Sequence, residues 1–204
     1  MATQTKKIPK GAKKKFFEVD IPLTATKVNL YSYTPEMLIG SMILLDLSKK
    51  LRGKNLELKA KVNLENGRLV GELVSLEINK QYIKKTIRKG TDYVEDSFET
   101  SCKDAKLRVK PFLITRKRVS RQIRKALRES ARKFIEARTT TRTSEELFTE
   151  LTTNKFQKEM SIKLKKIYPL ALSEIRSIKI LEKVEPKQKE KKAETAAPVE
   201  VSEQ

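Results

Sequence analysis

The stretch that most constrains the fold is a pair of segments flanking Asn66-Gly67. Leu56, Leu58, Ala60, Val62 and Leu64 alternate with Glu57, Lys59, Lys61 and Asn63. A strand turns successive side chains to opposite faces, so this period of two predicts a strand with one face buried. Asn and Gly both tolerate positive φ, and together they predict a tight hairpin. The return strand, expected over about Leu69 to Ile78, is apolar on both faces in part, as a central strand is. A lone hairpin is marginal in water, so the rest of the chain has to extend it or cover it.

Further strands are predicted over Phe16–Ile21, which ends at Pro22, over Val28–Tyr33 and over Met42–Leu45. Pro35 suits the first position of a short helix or turn. Asn79 is expected to cap a helix from Lys80 to Lys89 that Gly90 closes, with Ile83 and Ile87 facing inward. A second hairpin is predicted from Tyr93–Cys102 and Lys106–Ile114, with Lys103-Asp104 at the turn and Leu107, Val109 and Leu113 on one face. Pro111 within it hints at an edge or a bulge. Thr143 with Glu146 predicts a capping box for a helix carrying Leu147, Phe148 and Leu151. Asn154 is expected to cap another, striped by Phe156, Met160, Leu164 and Ile167 and ended by Pro169. A final strand is expected from Ile175 to Val184.

Between the second hairpin and the capping box lies the most basic stretch. From Arg116 to Lys133 there are nine basic residues and one acidic residue, Glu129. At about 100° per residue, Val119, Ile123, Ala126, Leu127, Ser130 and Phe134 fall on one arc, and Arg121, Arg124, Lys125, Arg128 and Arg132 gather on the other. A helix held by the first arc shows long cations on the second. Forked guanidinium donors match phosphate oxygens two at a time. A merely solvated face mixes its signs, as Glu and Lys four apart do; this one scarcely does. With Arg116, Lys117 and Arg118 just before it, the helix is the first candidate for a nucleic-acid surface. Lys84, Lys85 and Arg88 form a second basic patch.

The whole chain agrees with that reading. It has 204 residues, with 46 Lys and Arg against 26 Asp and Glu, a net charge of +20. Such an excess attracts polyanions. Histidine is absent and there is one cysteine, Cys102. The commonest general base and zinc ligand are therefore missing, and an intramolecular disulfide is impossible. No glycine-rich phosphate loop or carboxylate motif stands out, so neither catalytic residues nor a cofactor or metal site is expected. Cys102 reads as a small buried strand residue. The longest nearly apolar run, Met37–Leu45, is too short to span a bilayer, which fits a cytoplasmic protein in a reducing compartment. Two rival classes remain to be weighed. An RNA-acting enzyme needs a metal-binding carboxylate pair or a cofactor loop. A membrane-surface protein built on basic amphipathic helices usually carries Trp, and this chain has none.

The ends differ in composition from the middle. Residues 1–15 hold Lys6, Lys7, Lys10, Lys13, Lys14 and Lys15 and no acid, which predicts a disordered basic arm able to follow a phosphate backbone. Residues 185–204 are rich in Lys, Glu and Ala and predict a disordered tail. Residues 16–184 are expected to form one domain.

Several strings, in order, resemble one family. They are Phe17-Glu18-Val19, Leu38-Ile39-Gly40-Ser41-Met42, Leu45-Asp46-Leu47, Tyr82 through Gly90, Leu107-Arg108-Val109, Gln122-Ile123-Arg124-Lys125 and Ile167-Tyr168-Pro169-Leu170. From Phe16 to Val184 the chain resembles the S-three-Ae, or eS-one, family of small-subunit ribosomal proteins of archaea and eukaryotes. Its length suits an archaeal member, while its loops and its Lys/Glu/Ala tail depart from the family pattern. The resemblance implies an α+β fold with an antiparallel, barrel-like sheet and packed basic helices. It implies a structural constituent of the ribosome rather than an enzyme, bound to small-subunit rRNA on the platform near the mRNA exit and supporting assembly and translation. Neighbouring platform proteins are the implied partners, with mRNA at the exit a further contact that this position allows; a membrane is not among them.

Overall fold

The computed structural model describes residues 13–48, 54–65 and 67–183. The predicted alternation is realised as β4 (Leu56–Glu65), in which Leu56, Leu58, Ala60 and Val62 are buried. It pairs along its length with β5 (Arg68–Ile78), and Gly67 takes the positive φ of 77° that the turn demands. Asn66 itself lies outside the described residues. The ladder slips between Lys59 and Ala60, where Val74 of β5 has no partner. That bulge shifts the phase of β5, so that Leu69 and Gly71 are buried before it and Leu76 and Ile78 after it. The mixed apolar pattern of β5 thus reflects both a phase shift and neighbours on both edges.

Two strands precede this hairpin, β1 (Lys15–Ile21) and β2 (Thr26–Ser32), and a third, β3 (Met42–Asp46), lines the outer edge of β4. Direction reverses at each strand from β1 to β5, so the fifth runs the same way as the first. Their pairing, Val19 opposite Leu69, is therefore parallel. Gly71 makes the approach possible, because a Cβ there would lie 2.8 Å from Ile21 Cγ1.

The other half of the sheet is β6 (Tyr93–Glu95), β7 (Phe98–Ser101), β8 (Ala105–Thr115) and β9 (Leu170–Lys183). β8 pairs with β9 along one edge and shares its other edge between β7 and β6. The expected single strand from Tyr93 to Cys102 is thus broken at Asp96-Ser97. Pro111, which lacks the ladder donor, sits at a register shift in a central strand, the bulge alternative rather than the edge. β9 begins at Leu170 rather than at Ile175, because residues 170–174 pair with the end of β8. Through Ser177–Lys179 it also joins β5, and it is the strand that unites the two halves.

The fold is α+β, as expected. The sheet is mixed and, among the described residues, open: the strand order is β2-β1-β5-β9-β8-β6, with β4 and β3 branching from β5. The β1–β5 end curls around a small core of Val19, Leu38, Ile43, Val62 and Leu69, flanked by side chains of β2, without closing. The larger core lies between the sheet and the helices α2 (Arg121–Thr139), α3 (Ser144–Thr152) and α4 (Lys155–Lys165). Phe148, Phe156, Met160 and Leu164 fill it from the helix side.

Four local expectations are corrected. Helix α1 (Lys80–Thr86) starts at the Asn79 cap, whose side chain accepts from Gln81 N–H at 2.9 Å, but it stops early. The Thr86 hydroxyl bonds back to the Tyr82 and Ile83 carbonyls, Ile87 is extended and 38% exposed, and Gly90 lies beyond the helix at φ 84°. Asn154 does not cap α4 with its side chain. It adopts a left-handed φ of 61° between α3 and α4, and its Oδ1 accepts from Lys54 Nζ at 2.6 Å. Ile167, past the end of α4, is exposed. Cys102 is half-buried just beyond β7, its thiol directed at the Ala105 carbonyl, 3.0 Å away.

Candidate nucleic-acid interface

The segment that leads into α2 is pinned from two sides. Thr115, fully buried at the end of β8, donates its N–H to the Asp92 carbonyl at 2.9 Å, and its Oγ1 lies 2.8 Å from the Lys117 carbonyl. The Asp92 carboxylate accepts from Val119 N–H at 3.0 Å. Arg116, Lys117 and Arg118 are all exposed on this held turn. Ser120 then caps α2, accepting from Ile123 N–H at 3.4 Å.

Leu127, Ala131, Ile135 and Thr139 form the buried line of α2, four residues apart. The buried arc is rotated from the expected one. Ile123, Ser130 and Phe134 are half-buried, Ala126 is exposed, and Arg124, expected outside, is half-buried. The Thr139 hydroxyl ends the line against that of Thr100, at 2.7 Å in the interior. Because α2 crosses β6 and β7, its exposed side overhangs the sheet and makes a groove lined by Tyr93, Arg121, Arg124, Lys125, Arg128 and Glu129. A second groove continues from Arg128 past Lys110 and Arg176 to Glu95 and Asp96.

Pairing separates these cations from several other arginines of the sheet and helices. Arg108 is paired with Glu99, Arg138 with Glu159, Arg142 with Glu150, and Arg176 with Glu95, whose two oxygens both lie 3.0 Å from its Nη1. Arg132 is also committed: its Nε donates to Glu136 at 2.8 Å and its guanidinium lies over the Phe98 ring. By contrast Arg121, Arg124 and Arg128 have no carboxylate partner among the described residues, and Lys125 has only a loose one in Glu129, 3.9 Å away and exposed. The Arg124 Nε is shut off from solvent with no acceptor. Guanidinium groups without carboxylate partners match the geometry of oxyanions, which accept from the planar fork two bonds at a time.

The remaining candidates stand elsewhere. Lys84, Lys85 and Arg88 are exposed on and after α1 and line neither groove. Lys13, Lys14 and Lys15 are exposed at the start of β1, on the far side of the strand order from α2. Lys6, Lys7 and Lys10 lie outside the described residues, as do residues 185–204. Among the described residues no three His, Cys, Asp or Glu side chains are grouped to hold a metal, and no helix is long and apolar enough to cross a membrane.

Comparison with known sequences decides the class. The sequence model of the Ribosomal S3Ae family matches residues 2–184. The chain belongs to that family. Among its relatives is a small ribosomal subunit protein eS1 of Nanoarchaeum equitans, 27% identical over 80% of this chain and 87% of the relative. The eS1 of Methanothermobacter thermautotrophicus is 33% identical over 52% of this chain and 55% of its own length. That of Desulfurococcus amylolyticus is 26% identical over 82% and 83%. Membership in the S3Ae family makes the chain a structural protein of the small ribosomal subunit in the cytoplasm, and not an enzyme. A place in that particle entails association with its rRNA and with other ribosomal proteins.

In this S3Ae chain, sequence reasoning missed Tyr93, Lys110 and Arg176, which the strands bring to the two grooves. Each was read as an ordinary strand residue. The one available signal was the register of the second hairpin, which puts Tyr93 opposite Ile114, a short turn away from α2.

Proposed function

We propose that the α2 face is the principal rRNA-binding surface of this ribosomal protein, on the platform of the small subunit near the mRNA exit. The observation that carries this reading is the gathering of Arg121, Arg124 and Arg128, without carboxylate partners among the described residues, around the Tyr93 groove. Phosphates of an RNA backbone supply the missing partners. Arg116, Lys117 and Arg118, held out by the Asp92–Thr115 clamp, extend the same surface. Lys84, Lys85 and Arg88, and the arm from Lys6 to Lys15, provide secondary contacts; Arg132, already paired, contributes least. Residues 16–184 act as one domain, flanked by the basic arm and by a tail, residues 185–204, that stays off the RNA. Neighbouring platform proteins pack against the faces that RNA leaves free, mRNA passes close by, and subunit assembly depends on these contacts.

The test is equilibrium binding of a structured small-subunit rRNA fragment to the parent and to the Arg121→Ala, Lys125→Ala, Arg128→Ala triple variant over a range of salt. The variant is expected to keep its melting temperature, to bind weakly, and to lower the slope of log affinity against log salt by about two to three units. A triple variant that binds with the parent's affinity and slope overturns the assignment. Crosslinking within assembled subunits tests the platform position; crosslinks confined to rRNA distant from the mRNA exit overturn that part.

A further inference from the structure

The outward face of β1 and β2 carries a feature that the α2 reading does not use. Phe16 is 72% exposed and Tyr31 57%, although both are large aromatic residues. They are cross-strand partners, with ring centroids 4.9 Å apart and planes tilted by 41°. The Lys14 ammonium stands over the Tyr31 ring at 5.5 Å and the Tyr33 ring at 5.2 Å. Phe16 is left as the open ring of the group, on the same face as Lys14; Lys13 and Lys15, its neighbours in sequence, are exposed as well. Farther along the hairpin, Glu18 is taken up by Lys27 at 3.3 Å, so its charge is offset locally.

We propose that Phe16 and Tyr31 form a stacking platform for an unpaired base of single-stranded RNA, with Lys14 holding an adjoining phosphate and the neighbouring exposed Lys13 and Lys15 adding to the local positive charge. Two adjacent exposed rings beside a cation offer a flat apolar surface that a planar ligand can cover. A nucleobase is such a ligand, and every base offers a π face, so stacking is tolerant of sequence. The cations decide between occupants. An apolar protein partner has no use for a row of exposed lysines at the rim, whereas an RNA strand places phosphates there. The platform and the α2 groove lie at opposite ends of the strand order, β2-β1 and β8-β6, so one molecule can hold two distinct RNA segments. The platform thus goes beyond the α2 reading: it takes a single strand by its bases, where α2 takes a backbone by its charge.

The experiment uses the full chain and a single-stranded octanucleotide RNA carrying one 2-aminopurine, alongside a hairpin RNA of similar size. Stacking on Phe16 is expected to quench the 2-aminopurine emission on binding to the parent protein. Phe16→Ala and Tyr31→Ala together are expected to weaken the single strand by about five- to 150-fold, the range of alanine substitution at a stacked base. They should leave its salt slope unchanged, because no charge is lost. Phe16→Tyr should bind as the parent does, and Phe16→Leu, apolar but without a π face, should lose the quench. Hairpin binding should ignore both alanine changes and follow the α2 triple variant instead. No quench in the parent, parental affinity in the double variant, or a full quench with Phe16→Leu overturns the platform while leaving the α2 reading intact. Parental hairpin binding in the α2 triple variant overturns the α2 reading and leaves the platform intact.

Discussion

Leu127 and Arg124 are three residues apart on α2, and the structure gives them different degrees of the same environment. Leu127 is fully buried, so Leu127→Ala deletes core volume that the surrounding strands and helices cannot refill. The expected loss is about 2–5 kcal/mol, read from urea denaturation with an unchanged m-value. Arg124 is half-buried with its Nε enclosed, so its stem packs and its head faces the groove. A second residue-scale expectation concerns Glu174 of β9, which is 5% exposed. Burial pushes its carboxyl above the ordinary value of 4.5, opposed by the Lys54 ammonium at 2.5 Å and by Gln157. A carboxyl that binds its proton more tightly when folded contributes stability that is full below the unfolded value and is lost as pH rises through the folded one. The stability of the parent minus that of Glu174→Gln is therefore expected to fall as pH rises from about 4.5 and then to level off. A difference that grows with pH over that range contradicts the assignment.

At the scale of elements, α2 separates charge from geometry. Arg121→Lys and Arg128→Lys keep the charge but lose the planar fork. Binding to structured RNA is expected to fall between the parent and the alanine variant, while the salt slope stays parental. Folding should be indifferent: Arg121→Ala, Lys125→Ala and Arg128→Ala are each expected to lie within about 0.5 kcal/mol of the parent in melting experiments, whereas Arg124→Ala should cost more because its stem is packed. The same elements show what was legible in the sequence. β4 was clear because one of its faces meets solvent and the other the core, and the Thr143–Glu146 box because its two hydrogen bonds are local: Glu146 N–H to Thr143 Oγ1 at 3.4 Å and Thr143 N–H to Glu146 Oε2 at 3.2 Å. Asn154 misled because asparagine serves both as a helix cap and as a left-handed residue, and Lys54, 100 positions away, settles which. The rotation of the α2 arc depends on where β6 and β7 lie beneath it, which no helical period contains. The parallel β1–β5 contact was equally hidden, since it depends on a gap at Gly71 that only tertiary structure fills.

For the whole molecule the net charge of +20 sets the binding law. If about 6–10 phosphates are neutralised, affinity for structured RNA should fall by about 10³–10⁵ between roughly 50 and 200 mM salt. A nearly flat dependence would mean that the cationic faces are solvated and unused. The larger core and both halves of the sheet run through β9, and the order of synthesis gives that a consequence. Before Leu170 is made, β2-β1-β5-β4-β3 and β8-β7-β6 are separate sheets, each with an open edge where β9 will lie. Between the completion of β8 at Thr115 and the start of β9 at Leu170, the nascent chain therefore holds two unjoined pieces of sheet. Its single fold is sealed late, by the last described strand to emerge, as a zip closes only when its slider arrives.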